Sequence, residues 1–195
     1  MSNMKHKHLL TFGLTVFVAL ILGTFAYIYF YPHLFYNHLE LAIVQHGLGA
    51  TTNSSGIPVN TLYTMPTLAS PSSLKSNLLE GTNHDTLYTI GVLDLSKGPE
   101  ILHVPDMAGR YYSIEFVDSW GDVFTYVGRR TTGTEAGDYL ISGPGWKGNL
   151  PEGVMQIVSP DNKVLLIGRV LVENDSDLTT AYGLSKQIQL TPLSR

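Results

Sequence analysis

From Leu9 to Phe30 the chain reads LLTFGLTVFVALILGTFAYIYF, an apolar run that no charged residue interrupts. It shows neither the one-sided stripe of an amphipathic helix nor the alternation of a strand. At 1.5 Å per helical residue it reaches about 33 Å, enough to cross a hydrocarbon core about 30 Å thick. Pro32 follows, and the next stretch, HLFYNHLELAIVQHGLG, places Leu34, Phe35, Leu39, Ile43, Val44 and Leu48 largely at helical spacing. The pattern predicts a second helix, a stalk, ended by Gly47 or Gly49. Residues 50–58 and 65–76 are rich in small residues, Ser and Pro, and read as loops.

The pattern changes at Asp85. Residues 85–95, 100–104, 110–118, 122–129, 138–142, 155–158 and 163–172 are β-branched and aromatic, each bounded by turn residues, the spacing of an antiparallel sandwich or barrel. Within 110–118, Tyr112, Ile114 and Phe116 fall on one face and Ser113 and Glu115 on the other. Residues 176–189 predict a closing helix capped by Asp175 or Ser176 and stopped by Pro192.

Composition sharpens the location. All 16 acidic residues lie beyond position 30, whereas Lys5 and Lys7 precede the apolar run, which favours a cytoplasmic N-terminus. The remainder, outside the cytoplasm, carries a formal charge of −6, which argues against nucleic acid as a partner. Thr24-Phe25-Ala26 offers a signal-peptidase site. The apolar run nevertheless continues through Tyr31, and tyrosines at its end suit the membrane interface, so an uncleaved anchor is the favoured reading. The chain has no cysteine, which excludes a thiol nucleophile, a thiolate metal site and disulfides.

From about Asn83 to Leu193 the chain carries Asn83-His84-Asp85-Thr86-Leu87-Tyr88, Asp94-Leu95-Ser96-Lys97-Gly98-Pro99, and Val104-Pro105-Asp106-Met107 followed by Arg110-Tyr111-Tyr112-Ser113. It continues with Arg130-Thr131-Thr132-Gly133-Thr134, Ala136-Gly137-Asp138-Tyr139, Gly143-Pro144-Gly145-Trp146-Lys147-Gly148, Ile167-Gly168-Arg169 and Leu190-Thr191-Pro192-Leu193. In these motifs and their order the chain resembles DUF1254, a bacterial domain family of unknown function. The resemblance implies an all-β, antiparallel jelly-roll-like sandwich, often followed by a second β domain, DUF1214, in the same chain or a neighbouring gene. The expected organisation is a cytoplasmic tail (1–8), a transmembrane helix (9–30), a helical stalk and loop region (31–82) and the β domain (83–195). Such a chain resembles a short, membrane-anchored form of the family, stopping where the companion would begin, with a DUF1214-like protein as partner. The resemblance supplies no catalytic residue.

Candidate chemistry is sparse. Gly143, Gly145 and Gly148 spell G-x-G-x-x-G, but Pro144 and the following Asn149-Leu150-Pro151 cannot open a dinucleotide-binding helix, so a glycine-rich turn is expected, with Trp146 packed beneath it. Asn83 and Asp85 would share a face beside His84, suiting a polar ligand; the alternative is an Asx turn that starts the strand. Arg110, Arg129, Arg130 and Arg169 lie in or beside strands, near Asp106, Asp118, Asp122 and Asp138. They suit structural ion pairs or, for some, an anion pocket. Tyr88, Tyr111, Tyr112, Trp120, Tyr126 and Tyr139 read mainly as core. His33, His38 and His46 do not stack as metal ligands, and no nucleophile-and-base set, cofactor motif or catalytic carboxylate pair emerges. Two functions follow: a non-catalytic envelope domain assembling with a DUF1214-like partner, or a small-ligand-binding or hydrolytic domain with Asn83, Asp85, Arg110 and Arg130 around its pocket.

Overall fold

A computed structural model describes residues 2–47, 56–69 and 83–193. Most of the loop stretches expected at 50–58 and 65–76 lies outside these residues. The apolar run and the expected stalk form one helix, α1 (Ser2–His46), with Pro32 inside it. The break expected at Pro32 does not occur. A proline there removes only the bond to the Ile28 carbonyl, and packing of the downstream half holds the axis. Residues 10–32 are exposed on every side, whereas Tyr36 and Ile43 are buried. The Thr15 and Thr24 hydroxyls donate to the carbonyls of Thr11 and Leu20, so these hydroxyls do not interrupt the apolar surface. By length and composition this helix can cross a membrane. It ends at Gly47, whose φ of 66° is the left-handed conformation that closes helices, with its N–H on the Ile43 carbonyl.

The strands are β1 (Tyr63–Thr64), β2 (Thr86–Asp94), β3 (Glu100–Val104), β4 (Tyr112–Val117), β5 (Val123–Gly128), β6 (Gly137–Ser142), β7 (Met155–Val158), β8 (Lys163–Leu171) and β9 (Gln189–Pro192). They form a five-stranded sheet, β1-β2-β8-β4-β5, and a four-stranded sheet, β7-β6-β3-β9. All pairings are antiparallel except β6 with β7, so the second sheet is mixed rather than wholly antiparallel. The closing helix is shorter than expected. A 3₁₀ turn at Asp175–Asp177 leads into α2 (Leu178–Ser185), and residues 189–192 pair with β3 as an edge strand. The first turn is capped by Asn174, whose side chain accepts from the Ser176 N–H, and not by the expected Asp175 or Ser176.

Alternation along each strand builds two cores. Leu87, Leu93, Tyr112, Ile114, Phe116, Val164, Leu166 and Val170 of the first sheet face Leu102, Val104, Tyr139 and Ile141 of the second. The opposite face of β2 carries Tyr88, Ile90 and Val92, and these pack with Tyr36 and Ile43 of α1, Ile57, Met65 and Leu165. Both faces of β2 are therefore buried, which explains its nearly unbroken apolar sequence. Asn60 fastens this cover: at φ 60°, its side chain accepts from the Asp94 N–H at 2.7 Å and donates to Glu100 Oε1 at 2.9 Å. Lys163 adds a bond of 2.8 Å to Glu40 of the helix.

Candidate functional site

The outer face of the first sheet divides along its length. Val92, Leu165 and Val117 form one cross-strand row, and Ile90, Ile167, Glu115 and Tyr126 the next. The cover formed by the helix end lies over the β2 and β8 members of these rows. The following row starts at Tyr88, on the margin of the cover, and runs out through Arg169, Ser113 and Gly128; the last one, Thr86 and Leu171 with Tyr111 alongside, lies beyond it. Two adjoining cavities open over these last rows. One, of about 430 Å³, is lined by Asn83, Asp85, Thr86, Tyr88, Tyr111, Arg169 and Leu171. The other, of about 380 Å³, is lined by Tyr111, Tyr112, Ser113, Glu115, Tyr126, Gly128, Arg130, Thr131 and Arg169. Tyr111 and Arg169 belong to both, so the cavities form one groove with Arg169 at its centre.

The four sequence candidates separate. Asn83 and Asp85 do share a cavity wall, but the Asn83 amide is consumed locally. Its oxygen accepts from the N–H and hydroxyl of Thr86 at 3.0 and 2.7 Å, and its nitrogen donates to the Thr86 carbonyl at 2.9 Å. The Asx-turn reading therefore describes Asn83, which shapes the wall. Asp85 is exposed and lines the wall beside it; its backbone carbonyl accepts from the Val172 N–H, and its carboxylate accepts no hydrogen bond among the described residues. Arg130 lies at the other end, its guanidinium 5.9 Å from the centre of the Tyr111 ring.

Arg110 is not in the groove. It donates to both Asp177 oxygens and to the Leu171 carbonyl, where it ties α2 to the sheet. This pairing, with the Glu173 N–H on the same carboxylate, holds the Asp177 carboxyl down at about 2. The neighbouring aspartates expected to pair with the arginines do other things. Asp106 caps the Ala108 N–H, Asp118 accepts from the N–H groups of Trp120 and Asp122, and Asp138 bonds His103.

Arg169, which sequence reasoning left among the arginines expected mainly to pair with carboxylates, lies at the centre of the groove. It is exposed at mid-sheet, has no carboxylate partner among the described residues, and stands 5.6 Å from the centre of the buried Tyr88 ring. A signal was present. In KVLLIGRVL, alternation sends Lys163, Leu165, Ile167, Arg169 and Leu171 outward; Lys163 finds Glu40 of the helix, which leaves Arg169 as the outward cation without a carboxylate among the described residues. A guanidinium stacked on a tyrosine keeps its N–H edges free for a carboxylate or phosphate. At the groove's edge the Tyr126 hydroxyl donates to Glu115 at 3.0 Å, which raises its pKa above the ordinary phenol value. Among the described residues no cluster of His, Asp and Glu suited to a metal occurs. The G-x-G-x-x-G segment is an irregular turn with Gly145 at φ 75°, and the Trp146 ring packs against Gly148.

Among solved structures, the VPA0106 protein of Vibrio parahaemolyticus is similar over 87% of this chain at 28% identity and a TM-score of 0.67. The match covers 37% of that protein, so the present chain spans little more than a third of its length. An uncharacterized protein of Burkholderia cenocepacia aligns over 68% of this chain and 34% of its own, at 8% identity and a TM-score of 0.38, too distant to inform the fold. No curated protein matches the sequence. Residues 59–192 match the family described as "Protein of unknown function (DUF1254)". Its bounds take in β1 through β9, the whole two-sheet body with its cover strand, and the chain belongs to the DUF1254 family.

Proposed function

We propose that this protein is a membrane-anchored binding domain whose groove takes a small anion, a carboxylate or phosphate bearing hydroxyl or amino groups. The reading is carried by Arg169, an exposed cation at the meeting point of two cavities with no carboxylate partner among the described residues. Arg130 supplies a second cation at one end, and Asp85 an acceptor for ligand donors at the other. In this reading residues 9–30 span the bilayer, the N-terminus with Lys5 and Lys7 is cytoplasmic, and the β domain stands outside the cytoplasm, in the envelope.

Thermal unfolding of the full chain in detergent, with inorganic phosphate and a series of small hydroxycarboxylates, tests the site. A ligand should raise Tm in the parent, and Arg169→Ala should abolish the rise while leaving the unliganded Tm nearly unchanged, since among the described residues the side chain makes no hydrogen bond or ion pair and stands over the Tyr88 ring. If no anion shifts Tm, or Arg169→Ala lowers the unliganded Tm by itself, the groove is structural only.

Assembly with a DUF1214-like partner is a second reading. It is supported by the greater length of the Vibrio relative and by β7, an edge strand paired only with β6 that exposes Met155 (49%) and Val158 (58%). An unpaired edge with apolar side chains is suited to a protein neighbour. A photo-crosslinker at Met155 should capture a DUF1214-like protein; a detergent-solubilised monomer without adduct would sink this reading.

A further inference from the structure

The turn between β4 and β5 reaches back along α1 towards the end of the apolar run. The Trp120 ring lies 5.5 Å from Tyr29, 6.1 Å from Phe30 and 5.0 Å from His33, centre to centre. The turn is held there from both sides. His33 Nδ1 bonds the Ser119 carbonyl at 2.8 Å, and the Asp161 carboxylate accepts from the N–H and hydroxyl of Ser119. Asp118 accepts from the N–H groups of Trp120 and Asp122 at 2.9 and 3.0 Å, and Gly121 at φ 84° closes the bend. Trp120 nevertheless remains 37% exposed and Val123 beyond it 41% exposed. The indole N–H makes no hydrogen bond to any described residue.

We propose that Trp120 and the β4–β5 turn form a second membrane contact, seated in the headgroup region of the bilayer that α1 crosses. The inference rests on the anchor reading of residues 9–30. If those residues fill the hydrocarbon, Tyr29 and Phe30 lie at its boundary, and a ring stacked beside them lies at the same depth. An indole is suited to that level because its face is apolar and its free N–H can meet a headgroup. The charges around the turn, Asp118, Asp122 and Asp161, are acidic, so the contact is with zwitterionic rather than anionic lipid. The helix carries the domain at the surface; the helix and the turn together fix which side faces the membrane.

The chain has only two tryptophans, Trp120 and Trp146. Full-length protein carrying Trp146→Phe, reconstituted in phosphatidylcholine vesicles, therefore reports on Trp120 alone. Its emission should be blue-shifted. Lipid brominated near the carboxyl end of the acyl chain should quench it by about half, and lipid brominated near the methyl end should quench it far less, as expected at interfacial depth. Should Trp146→Phe not fold, the difference between parent and Trp120→Phe emission gives the same reading. Emission at the wavelength of water-exposed indole, quenched by aqueous iodide and not by bromolipid, would overturn the contact while the anchor stood, provided carbonate washing left the protein in the vesicles. Release by carbonate would overturn anchor and contact together.

Discussion

At the scale of single residues, the structure separates two arginines that composition and spacing treat alike. Arg110 holds Asp177 with a paired fork, and both side chains are largely shielded from solvent. Arg110→Ala should therefore cost about 2 kcal/mol, the range for hydrogen bonds to a charged group, in urea unfolding, without changing any anion response. The same pair sets an acid limit. Asp177 has a folded-state pKa of about 2 against an ordinary 3.8. Its contribution is complete above the ordinary value and is lost as pH falls towards the folded one. An acid titration of stability should lose that component in Arg110→Ala. Glu100 behaves oppositely. Burial raises its pKa above 4.5, with only one oxygen bonded by Asn60. The penalty is absent below the ordinary value, grows as pH rises from it through the raised one, and is constant above. Glu100→Gln, which keeps an acceptor for Asn60, should match the parent at pH 4 and exceed its stability at neutral pH. Equal stability at both pH values would refute the reading of Glu100 as a buried acid under strain.

At the scale of elements, most of the strands were legible. β3 and β7 occupy the residues that alternation predicts, and β2, β4, β5, β6 and β8 differ from expectation only at their ends, because period-two patterning reports burial directly. β1 and β9 were not legible: β1 has only two residues, β9 ends on the Pro192 read as a helix stop, and the pairing that makes them strands belongs to β2 and β3. The helix was misread in the opposite sense. Pro32 looks like a terminus in sequence, but the apolar face of Tyr36, Leu39 and Ile43 docks on β2 and β8 and keeps the chain helical across it. Ile43→Ala should consequently destabilise the β domain by about 2–4 kcal/mol, the usual cost of removing a buried Ile side chain, measured by chemical unfolding followed through the sheet signal. A change below about 0.5 kcal/mol, typical of surface sites, would mean that the helix end only rests on the domain.

At the scale of the whole molecule, one rigid connection sets the position of everything else. The helix packs against the end of the first sheet that carries Val92, Leu165 and Trp120, and the groove opens over the rows of Arg169 and Leu171. Arg169 and Leu171 lie four and six residues along β8 from Leu165, about 13–20 Å. In the membrane reading the groove thus faces away from the bilayer and towards solutes in the envelope. The cysteine-free sequence makes the orientation directly testable. Glu152→Cys, at an exposed turn, should react with an impermeant maleimide in intact spheroplasts, and labelling only after lysis would invert the topology. Certain properties belonged to the sequence alone: a charge-free run long enough to span, lysines on one side of it, alternating strands, and the order of motifs that identify the family. Each is local, fixed by the period of side chains along a few consecutive residues. The fate of the arginines and of Trp120 was not local. Asn83 is settled by Thr86, three positions on, but whether Arg110 or Arg169 is free and whether Trp120 is core or surface depended on partners 67 to 91 positions away. Only packing of the two sheets and the helix end decided them, because hydrogen-bond satisfaction and exposure are properties of neighbours in space.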